Sequence, residues 1–523
     1  MTGFVSIVGA GPWAPGLLTL DGKDRLQRAD VVIADYLANP ALLLHCRQGA
    51  VILQRASGPR GPGPAHQWKL SQAEVNRLLV EHARAGRRVV RLKGGDPCMF
   101  GRGGEEAEHL RAHDVAFELV PGVSSPIAAP EMAGIPVTHR HHTPSVTFVS
   151  GYEAYEKAGL TVVWPHLAQS AGTIVMMMGV RNARDNARRL VEAGRAPETP
   201  VAMVRWGTRG IQRTVVGTLA TIADEIDAAG LRAPAVMVVG EVVGRRDGVA
   251  FLESRPLFGR RIAVTRALGQ SDALVTGLIE RGADVVPFPC LQIDPPEDPA
   301  SLRAALDELP TYDGVIVSSR HGVDALVDGL IAAGSDVRAL AGRTLLAVGS
   351  STAAACSARG LSADLVPTSP RTEGMIATLR DAGLLDRRWL HVRSEHGRPD
   401  LGEAIARAGG KYTLAIGYRT SAPEVPQMLV RSLLPPERGG EGLDVVVFGS
   451  GRAAEHFVDI VTAASTPQDA HDMLQRAAIV TIGPVTRRAI EKMGYRVAAT
   501  ADAPNDDALE RACLRVTDTD TAG

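Results

Sequence analysis

The stretch Val89-Val90-Arg91-Leu92-Lys93-Gly94-Gly95-Asp96-Pro97, followed by Gly101-Arg102-Gly103-Gly104-Glu105-Glu106, decides the fold of this chain. An apolar strand runs directly into glycines and one acidic residue, and a second glycine turn then opens a helix. Such a loop lets a small ligand reach bare backbone, because glycine carries no side chain and a helix N-terminus presents free N–H groups. We therefore predict a ligand site here, with an ordinary tight turn as the alternative.

Composition limits the classes of protein that fit this chain. With 523 residues, 45% hydrophobic and 22% charged, it should be globular with at least two domains. A formal net charge of -1 gives no field for nucleic acid or an anionic membrane, so neither partner is expected. The five cysteines are scattered singly, which argues against a disulfide framework and favours a reducing cytoplasm. We expect no signal peptide and no membrane span.

Strand and helix patterns divide the chain into two halves. In the first half, amphipathic helices alternate with apolar strands that we predict at 5–8, 31–34, 89–92, 146–150, 173–178, 201–205 and 235–240. The periodicity lapses into charge, glycine and proline between 245 and 256, and a fresh strand begins at Arg261. This predicts an α/β domain at 1–248, a linker at 249–258 and a second α/β domain at 259–516.

The second half contains an internal repeat. Its unit is strand, hydroxyl-rich turn, helix, strand, Gly-x-x-Thr turn, helix and strand. The two copies have their strands and turns at 312–319, 345–352 and 363–367, and at 443–450, 478–486 and 495–498. Two similar α/β lobes are therefore predicted, with polar ligands at the strand ends. The last residues, 517–523, are polar and are expected to form a disordered tail.

Four loops of the first half each follow a strand and expose backbone groups: 9–12, 94–97, 121–125 and 176–179. Together they suit a ligand with amino-acid and nucleoside parts, which hydrogen-bonds to peptide groups and small hydroxyls. A dinucleotide fold would need a third glycine in register, and Pro12-Trp13-Ala14-Pro15 stands there instead. Nicotinamide binding is rejected on that ground.

Residues 4–244 resemble uroporphyrinogen-III C-methyltransferases of the tetrapyrrole methyltransferase class. The motifs that carry this resemblance are 8–12, 17–20, 29–32, 91–97, 100–106, 120–125, 133–140 and 205–208. The resemblance implies two α/β lobes that bind S-adenosylmethionine between them, and a homodimer formed through this half. It also implies double methylation of uroporphyrinogen III to precorrin-2, on the way to sirohaem or cobalamin.

The same resemblance assigns site residues. The implied cofactor contacts are Pro12, Gly94, Gly95, Asp96, Met99, Ser124, Ser125, Met178 and Gly207, and Asp35 matches the family's proton acceptor. A sulfonium methyl is already activated, so the protein needs to align the pyrrole carbon, exclude water and take up the displaced proton. No metal is expected, although His139, His141 and His142 lie close together in sequence.

The chain departs from the methyltransferase pattern in three places, one of which is Ala34-Asp35-Tyr36-Leu37 where the family usually reads Tyr-Asp-Arg-Leu. The usual Gly-Pro-Gly-Asp-Pro reads Gly11-Pro12-Trp13-Ala14-Pro15, so an indole and a methyl replace a glycine and a carboxylate. The lysine assigned as proton donor falls near Gln54-Arg55-Ala56, where no lysine stands, and arginine does not readily donate a proton at neutral pH. One alternative is therefore a methyltransferase half that is degenerate or acts on another tetrapyrrole.

Residues 259–516 resemble uroporphyrinogen-III synthases. The motifs are 264–266, 318–319, 347–352, 372–374, 416–420, 448–450 and 482–486. The resemblance implies two similar α/β lobes, one of them built from discontinuous chain, and hydroxymethylbilane as the substrate. Tyr418 matches a tyrosine suspected of assisting loss of the substrate hydroxyl.

Hydroxymethylbilane carries eight carboxylates, which backbone amides at helix starts and adjacent hydroxyls can bind. The predicted substrate contacts at such turns are Thr265, Arg266, Ser318, Ser319, Thr352, Ser450 and Thr486. The same side chains could instead be simple helix caps. The sequence thus predicts a bifunctional tetrapyrrole enzyme, with a synthase that is active alone and a non-catalytic tetrapyrrole-binding scaffold as alternatives.

Overall fold

The computed structural model describes residues 3–55, 70–151, 162–170, 172–269, 272–395 and 397–518. The side chain of Arg55 and the residue Ala56, named above for the missing lysine, lie outside this described part. The chain forms two compact units, the first made of Met1–Cys290 with Glu424–Gly523 and the second of Leu291–Pro423. Each unit is described by itself.

Unit 1 begins with a five-stranded parallel sheet in the order β3-β2-β4-β1-β5. Its strands are β1 (Phe4–Gly9), β2 (Val31–Asp35), β3 (Val51–Arg55), β4 (Arg88–Lys93) and β5 (Phe117–Val120), and its helices are α1 (Leu20–Arg28), α2 (Gln72–Arg84), α3 (Gly103–Ala112) and α4 (Ser125–Met132). The predicted strand before the glycine loop is β4, the central strand. Because the strands are parallel, the loops after β1, β2, β4 and β5 meet at one sheet edge.

A second five-stranded sheet follows in the order β6-β7-β10-β8-β9. Strand β6 is parallel to β7, and the other pairs are antiparallel. The strands are β6 (Val146–Ser150), β7 (Thr173–Met177), β8 (Pro200–Arg205), β9 (Arg213–Thr218) and β10 (Ala235–Val239), with helices α5 (Trp164–Gln169), α6 (Ala183–Glu192), α7 (Ile222–Ala228) and α8 (Arg246–Val249). Sequence patterns missed β9, whose half-exposed residues show no apolar run.

The chain then forms β11 (Arg261–Val264), α9 (Asp272–Glu280) and β12 (Asp284–Pro287) before it enters unit 2. Unit 2 holds a mixed sheet in the order β13-β17-β16-β14-β15, in which only the β13–β17 pair is antiparallel. Its elements are β13 (Gln292–Asp294), α10 (Ala300–Asp307), β14 (Gly314–Val317), α11 (Arg320–Ala332), β15 (Thr344–Ala347), α12 (Ser350–Ala358), α13 (Thr372–Asp381), β16 (Arg388–Ser394), α14 (Asp400–Arg407) and β17 (Lys411–Ser421).

The chain returns to unit 1 and completes a third parallel sheet in the order β12-β11-β18-β19-β20. The returning elements are α15 (Gln427–Leu433), β18 (Val445–Phe448), α16 (Gly451–Ala464), α17 (Pro467–Arg476), β19 (Ala478–Thr481), α18 (Pro484–Lys492), β20 (Val497–Thr500) and α19 (Asp506–Asp518). One lobe of the repeat is therefore built from discontinuous chain, and the other from continuous chain.

The structure corrects two details of the predicted repeat. The predicted strand at 363–367 forms only a single bridge, between Leu346 and Leu365, and the other copy contains an additional helix, α17. Helix α19 continues to Asp518 and buries Thr517, so the first two residues of the predicted tail are helical. Residues 519–523 lie outside the described part. Among the described residues, no helix is both long and apolar enough to cross a bilayer.

Candidate functional site

The first and second loops of the N-terminal part are joined backbone to backbone. The N–H of Gly95 donates to the carbonyl of Gly11 at 2.8 Å, and the reverse bond measures 3.2 Å. Both glycines have left-handed backbone, with φ values of 72° for Gly11 and 68° for Gly95. A Cβ atom on Gly9 would lie 2.6 Å from Cα of Gly122, so the third loop approaches just as closely. Glycine is required here because three loops share one small space.

Asp96 holds the second and third loops together. Its Oδ1 atom accepts hydrogen bonds from the N–H groups of Cys98 at 2.8 Å and Met99 at 3.2 Å. Its Oδ2 atom accepts from the N–H of Gly122 at 3.1 Å. Both carboxylate oxygens are thus engaged by backbone, and the side chain of Asp96 builds the loop in which Gly94 and Gly95 lie.

Ser124 in the third loop offers an unused hydroxyl. It precedes α4, yet its side chain makes no capping bond, and its Oγ atom is buried with no partner among the described residues. The neighbouring Ser125 lies against Gly95, where an added Cβ would be 3.1 Å from the serine Oγ. A buried polar atom without a partner costs free energy unless a ligand or water bonds to it. Ser124 therefore fits a ligand that bears a polar group at this place.

Gly207 and its neighbour Thr208 come from the second sheet and reach the first loop. The hydroxyl of Thr208 donates to the carbonyl of Pro12 at 2.6 Å and accepts from the N–H of Ala14 at 3.3 Å. Gly207 packs against Ala129, which would lie 2.3 Å from an added Cβ. Met178 lies just after β7 with a φ of 59° and a side chain 44% exposed, and no hydrogen bond among the described residues joins it to these loops.

Asp35 lies at the end of β2 and contacts two cations on β4. Its Oδ1 atom accepts from Nη2 of Arg91 at 2.6 Å, and its Oδ2 atom is 3.9 Å from Nζ of Lys93. Arg91 and Lys93 are buried, and both donate to Oε1 of Glu106, at 3.2 Å and 3.0 Å. The side chain of Asp35 keeps 20% exposure, so it is the member of this cluster that can meet a ligand.

The buried cluster changes the acidity of its two cations in opposite directions. Burial, together with the adjacent charge of Arg91, lowers the pKa of Lys93. Burial acts to lower the pKa of Arg91 as well. The carboxylates of Asp35 and Glu106 outweigh it, so the pKa of Arg91 is raised above its ordinary value. Sequence reasoning missed Arg91, Lys93 and Glu106 as members of the site. Two cations alternating within an apolar strand were the available signal, because unpaired buried charges are rare.

The predicted substrate residues of unit 1 fall into two groups. Thr265 is fully buried, and its hydroxyl donates to the carbonyl of Val447 at 2.8 Å, so its role as a substrate contact stays a prediction. Thr486 is also buried, within the first turn of α18. Arg266 is partly exposed and pairs with Asp506, and Ser450 caps α16 by accepting from the N–H of Ala453. Arg266 and Ser450 remain candidates.

Two of the predicted residues of unit 2, Ser319 and Tyr418, are in hydrogen-bond contact. The Tyr418 hydroxyl is 2.8 Å from Oγ of Ser319, which accepts from the N–H of Gly322 and so caps α11. The ring of His321 lies 5.5 Å from the Tyr418 ring, and burial, aided by Arg320, lowers the pKa of His321. Ser318 is half-buried beside them, whereas Thr352 is buried in the first turn of α12.

The histidine group at 139–142 is a small cluster of rings. The ring centroids of His139 and His142 are 4.7 Å apart, and those of His139 and His141 are 5.9 Å apart. Across the residues that the structure describes, no group of three or more His, Cys, Asp or Glu is arranged to hold a metal ion.

Comparisons with known proteins match both parts of the chain. Residues 5–223 match the family model of the tetrapyrrole (corrin/porphyrin) methylases, and residues 272–510 match that of the uroporphyrinogen-III synthase HemD. A uroporphyrinogen-III C-methyltransferase of Bacillus subtilis is 38% identical over 65% of this chain and 68% of its own length. The porphyrin biosynthesis protein HemD of Ruminiclostridium josui is 35% identical over 70% of this chain and 71% of its own length.

An archaeal relative matches the N-terminal part alone. The S-adenosyl-L-methionine-dependent uroporphyrinogen III methyltransferase of Methanosarcina barkeri is 46% identical over 47% of this chain and 94% of its own length. Fold, loops and matched ranges together define a fusion of two enzyme classes of the tetrapyrrole pathway. The chain belongs to the tetrapyrrole methylase family through its N-terminal part and to the uroporphyrinogen-III synthase family through its C-terminal part. The predicted fold class, enzyme classes and cofactor are confirmed at this level.

Proposed function

We propose that this chain closes hydroxymethylbilane to uroporphyrinogen III with its C-terminal part and methylates that product twice, to precorrin-2, with its N-terminal part. The observation that carries the methylation is the joined set of loops at Gly11, Gly95 and Gly122 beside the half-open carboxylate of Asp35. The names of the relatives supply the substrate class, and the unpartnered hydroxyl of Ser124 fits a polar cofactor.

Four of the predicted cofactor residues have tasks that follow from their contacts. S-adenosylmethionine, when bound, supplies a methyl group that its sulfonium charge has already activated. Gly94 and Gly95 open the second loop to backbone contact, Asp96 fixes that loop, and Ser124 offers its buried hydroxyl. These groups hold reactants in line and exclude water, which is the main requirement of such a transfer.

Asp35 would take up the proton that leaves the substrate carbon. Arg91 orients its carboxylate from the buried side, which leaves the rest of the group facing outward. Lys93 has a lowered pKa and lies 3.9 Å from the same carboxylate, so it can exchange a proton with Asp35 more readily than an ordinary lysine. We propose that Lys93 supplies the amine that the sequence lacks near Arg55.

Ring closure makes a different demand on the C-terminal part. Tyr418 can donate a hydrogen bond to the departing hydroxyl, while Ser319, tied to the start of α11, holds the phenol in position. Helix starts such as that of α16, capped by Ser450, present N–H groups to substrate carboxylates. Folding the flexible substrate is the larger part of this task.

Incubation of the chain with hydroxymethylbilane, with and without S-adenosylmethionine, tests both activities. We expect uroporphyrinogen III above the spontaneous isomer I background without the cofactor, and a dimethylated product when it is present. Isomer I alone would refute the synthase activity. Isomer III that gains no methyl group would refute the methyltransferase activity.

A degenerate methyltransferase half is the second candidate, favoured by Trp13, whose bulky side chain follows a predicted cofactor contact. Calorimetry with S-adenosylhomocysteine separates the two, because a non-functional pocket gives no binding heat. If binding is observed without methylation of uroporphyrinogen III, other tetrapyrroles become the substrates to assay.

We also propose that the chain forms a homodimer through its N-terminal part, as the resemblance to the methyltransferases implies. Light scattering coupled to gel filtration tests this directly. A mass equal to twice 55.2 kDa is expected, and a monomer at micromolar concentration would contradict it.

A further inference from the structure

Trp13 has an unfavourable backbone conformation in the first cofactor loop. Its φ is 95°, a region that residues with a Cβ rarely occupy, and its carbonyl is held by Nδ2 of Asn39 at 2.9 Å. Trp206 and Thr208, in the loop that contacts Pro12, also have positive φ values, 53° and 78°. Three such residues at one junction persist only where surrounding contacts stabilise them.

Arg209 supplies such contacts through both tryptophan rings. Its guanidinium carbon lies 4.4 Å from the ring centroid of Trp13 and 4.6 Å from that of Trp206. The two rings meet edge to face, with centroids 5.6 Å apart. A desolvated guanidinium attracts the electron-rich faces of indoles, so Arg209 fixes both loops at once.

The charge of Arg209 is balanced by two carboxylates of the C-terminal part. Nε and Nη2 of Arg209 donate to Asp284 at 3.1 Å and 2.8 Å, and Nη1 and Nη2 donate to Glu441 at 3.0 Å and 2.7 Å. The side chain of Arg209 is fully buried, with no exposed surface. A buried arginine needs such partners, because an unpaired charge there is very costly.

Asp284 lies in the third sheet of unit 1, and Glu441 lies in the segment that leads into that sheet. Asp284 is the first residue of β12, and Glu441 precedes β18. Arg261, at the start of β11, contacts both carboxylates, and burial, opposed by Asp284, lowers its pKa to about 10. The carbonyl of Gly210 also accepts from the N–H of Gly259 at 2.6 Å, so backbone contact accompanies the ion pairs.

We infer that Asp284 and Glu441 of the synthase part are positioning residues for the cofactor loop of the methyltransferase part. They hold Arg209, Arg209 holds Trp13 and Trp206, and these rings set the backbone at Pro12 and Gly207. The synthase part thereby tunes cofactor affinity without contacting the cofactor. This inference rests on the proposed methyltransferase function.

The test is calorimetric binding of S-adenosylhomocysteine to the full chain carrying D284N and E441Q together. Loss of the carboxylates frees Arg209 from the rings, and we expect the Kd to rise about tenfold, in line with the strength of cation–π contacts. The kcat for methylation at saturating S-adenosylmethionine should stay within about twofold. A general loss of folding would lower kcat and the synthase rate together.

The matched control is E437Q, four residues before Glu441. Glu437 is also paired with an arginine, Arg476, in the same lobe, but that pair is exposed. Its Kd should equal that of the wild type. A wild-type Kd in the D284N/E441Q chain overturns the inference, whereas a wild-type chain that gives no binding heat overturns the proposed function and the inference with it.

The route through Trp13 is checked by a double-mutant cycle. If the carboxylates act through the indole, adding W13F or W13A to D284N/E441Q should raise the Kd by less than it does in the wild type. W13F keeps an aromatic face for Arg209 and should be the milder change. Strictly additive effects on the Kd would overturn the proposal that the carboxylates act through Trp13. If the D284N/E441Q chain shows altered far-ultraviolet circular dichroism, D284N alone is measured instead, and the same criteria apply to it.

Discussion

A carboxylate accepts a proton during a reaction only if it is both charged and reachable. Asp35 is reachable, since 20% of its side chain is exposed while Arg91 holds one of its oxygens from the buried side. Glu106 bonds to the same cations but is fully buried, so it serves as their counter-ion. Position therefore suits Asp35 to the proposed proton transfer and Glu106 to a structural role.

Replacement of Asp35 by Asn should reduce methylation and leave cofactor binding intact. Loss of a general base lowers kcat by about a hundredfold or more, whereas the loops at Gly95 and Ser124 are untouched. Single-turnover methylation of uroporphyrinogen III and calorimetry with S-adenosylhomocysteine measure the two quantities. D30N, a change at an aspartate on the opposite end of β2 that pairs with Arg47, is the control. An unaltered methylation rate in D35N would remove Asp35 from the mechanism.

The family resemblance pointed to Asp35 and local spacing pointed to the glycine loops, but neither predicted the cluster beneath them. The spacing of the glycines, Asp96 and the serines can be read from the sequence alone. The contacts of Arg91 and Lys93 with Glu106 depend on how α3 packs against β4, which no local pattern records. The turn at Thr265 likewise looked like a ligand site, and only the folded chain shows that its hydroxyl bonds to the carbonyl of Val447.

At the scale of the element, α3 and β4 depend on each other through one side chain. Glu106, in the first turns of α3, bonds to Arg91 and Lys93 of β4 and accepts from Nε2 of Gln72 on α2. The glycines before it let α3 start directly beneath the loop that Asp96 closes. The position of the ligand loop therefore depends on the buried ion pairs of Glu106.

The substitution E106Q should destabilise the N-terminal part by about 3 kcal/mol, because it leaves two buried cations without their shared counter-ion. Urea denaturation followed by circular dichroism gives the change in the free energy of unfolding. E105Q on the same helix is the matched control, since the Glu105 side chain is 60% exposed and pairs with Arg102 at the surface. Equal stability of the E106Q and E105Q chains would refute the assigned counter-ion role.

Strand β16 contains a buried histidine that should make unit 2 sensitive to acid. Burial, aided by Arg393, lowers the pKa of His391 from 6.5 to about 3. Well above pH 6.5 the imidazole is neutral in both the folded and the unfolded state and has no effect on the pH dependence. As the pH falls from 6.5 towards 3, the unfolded chain binds a proton that the folded chain refuses, so the free energy of unfolding falls.

H391N removes this titration while keeping a polar partner for Tyr412, whose hydroxyl lies 2.8 Å from Nδ1 of His391. Between pH 7 and 5.5, wild type should lose about 1 kcal/mol more of its unfolding free energy than H391N does. Chemical denaturation at both pH values measures it. A slope in H391N identical to that of the wild type would contradict the assignment.

Element boundaries show where sequence patterns succeed. Apolar runs predicted β1, β2, β4, β7, β8 and β10 because these strands are almost wholly buried. They also predicted β6, which is half-buried at a sheet edge. The strands for which no range was predicted, β3, β5 and β9, also lie at sheet edges. Residues 363–367 have a strand-like sequence but form only one β-bridge in the described structure. Whether such a segment becomes an edge strand depends on its pairing with the neighbouring strand, which the local sequence does not determine.

At the scale of the whole molecule, the two proposed reacting side chains lie on different units. Asp35 belongs to unit 1 and Tyr418 to unit 2. Each activity should therefore be removable without the other. Domain repeats and the change in periodicity near 245–256 made the two-part plan visible in the sequence, whereas the contacts of Arg209 with Asp284 and Glu441 required the folded chain.

A mixture of D35N and Y418F chains tests this independence. D35N should still form uroporphyrinogen III, and Y418F should still methylate uroporphyrinogen III that is supplied to it. An equimolar mixture given hydroxymethylbilane and S-adenosylmethionine should make the dimethylated product after a lag, followed by chromatography of the esterified products. Failure of the mixture, when each single activity is present, would show that the intermediate cannot pass between chains.

The interrupted lobe also sets an order of events during synthesis on the ribosome. Strands β11 and β12 emerge before all of unit 2, yet their sheet needs β18, which pairs with β11. Glu441 follows Arg209 by 232 residues, so the arginine must wait for one of its two carboxylates until almost the whole chain has been translated. A nascent chain that ends before Glu441 would therefore offer Arg209 only one of these two carboxylates, so the contacts that fix the first cofactor loop are completed late in translation.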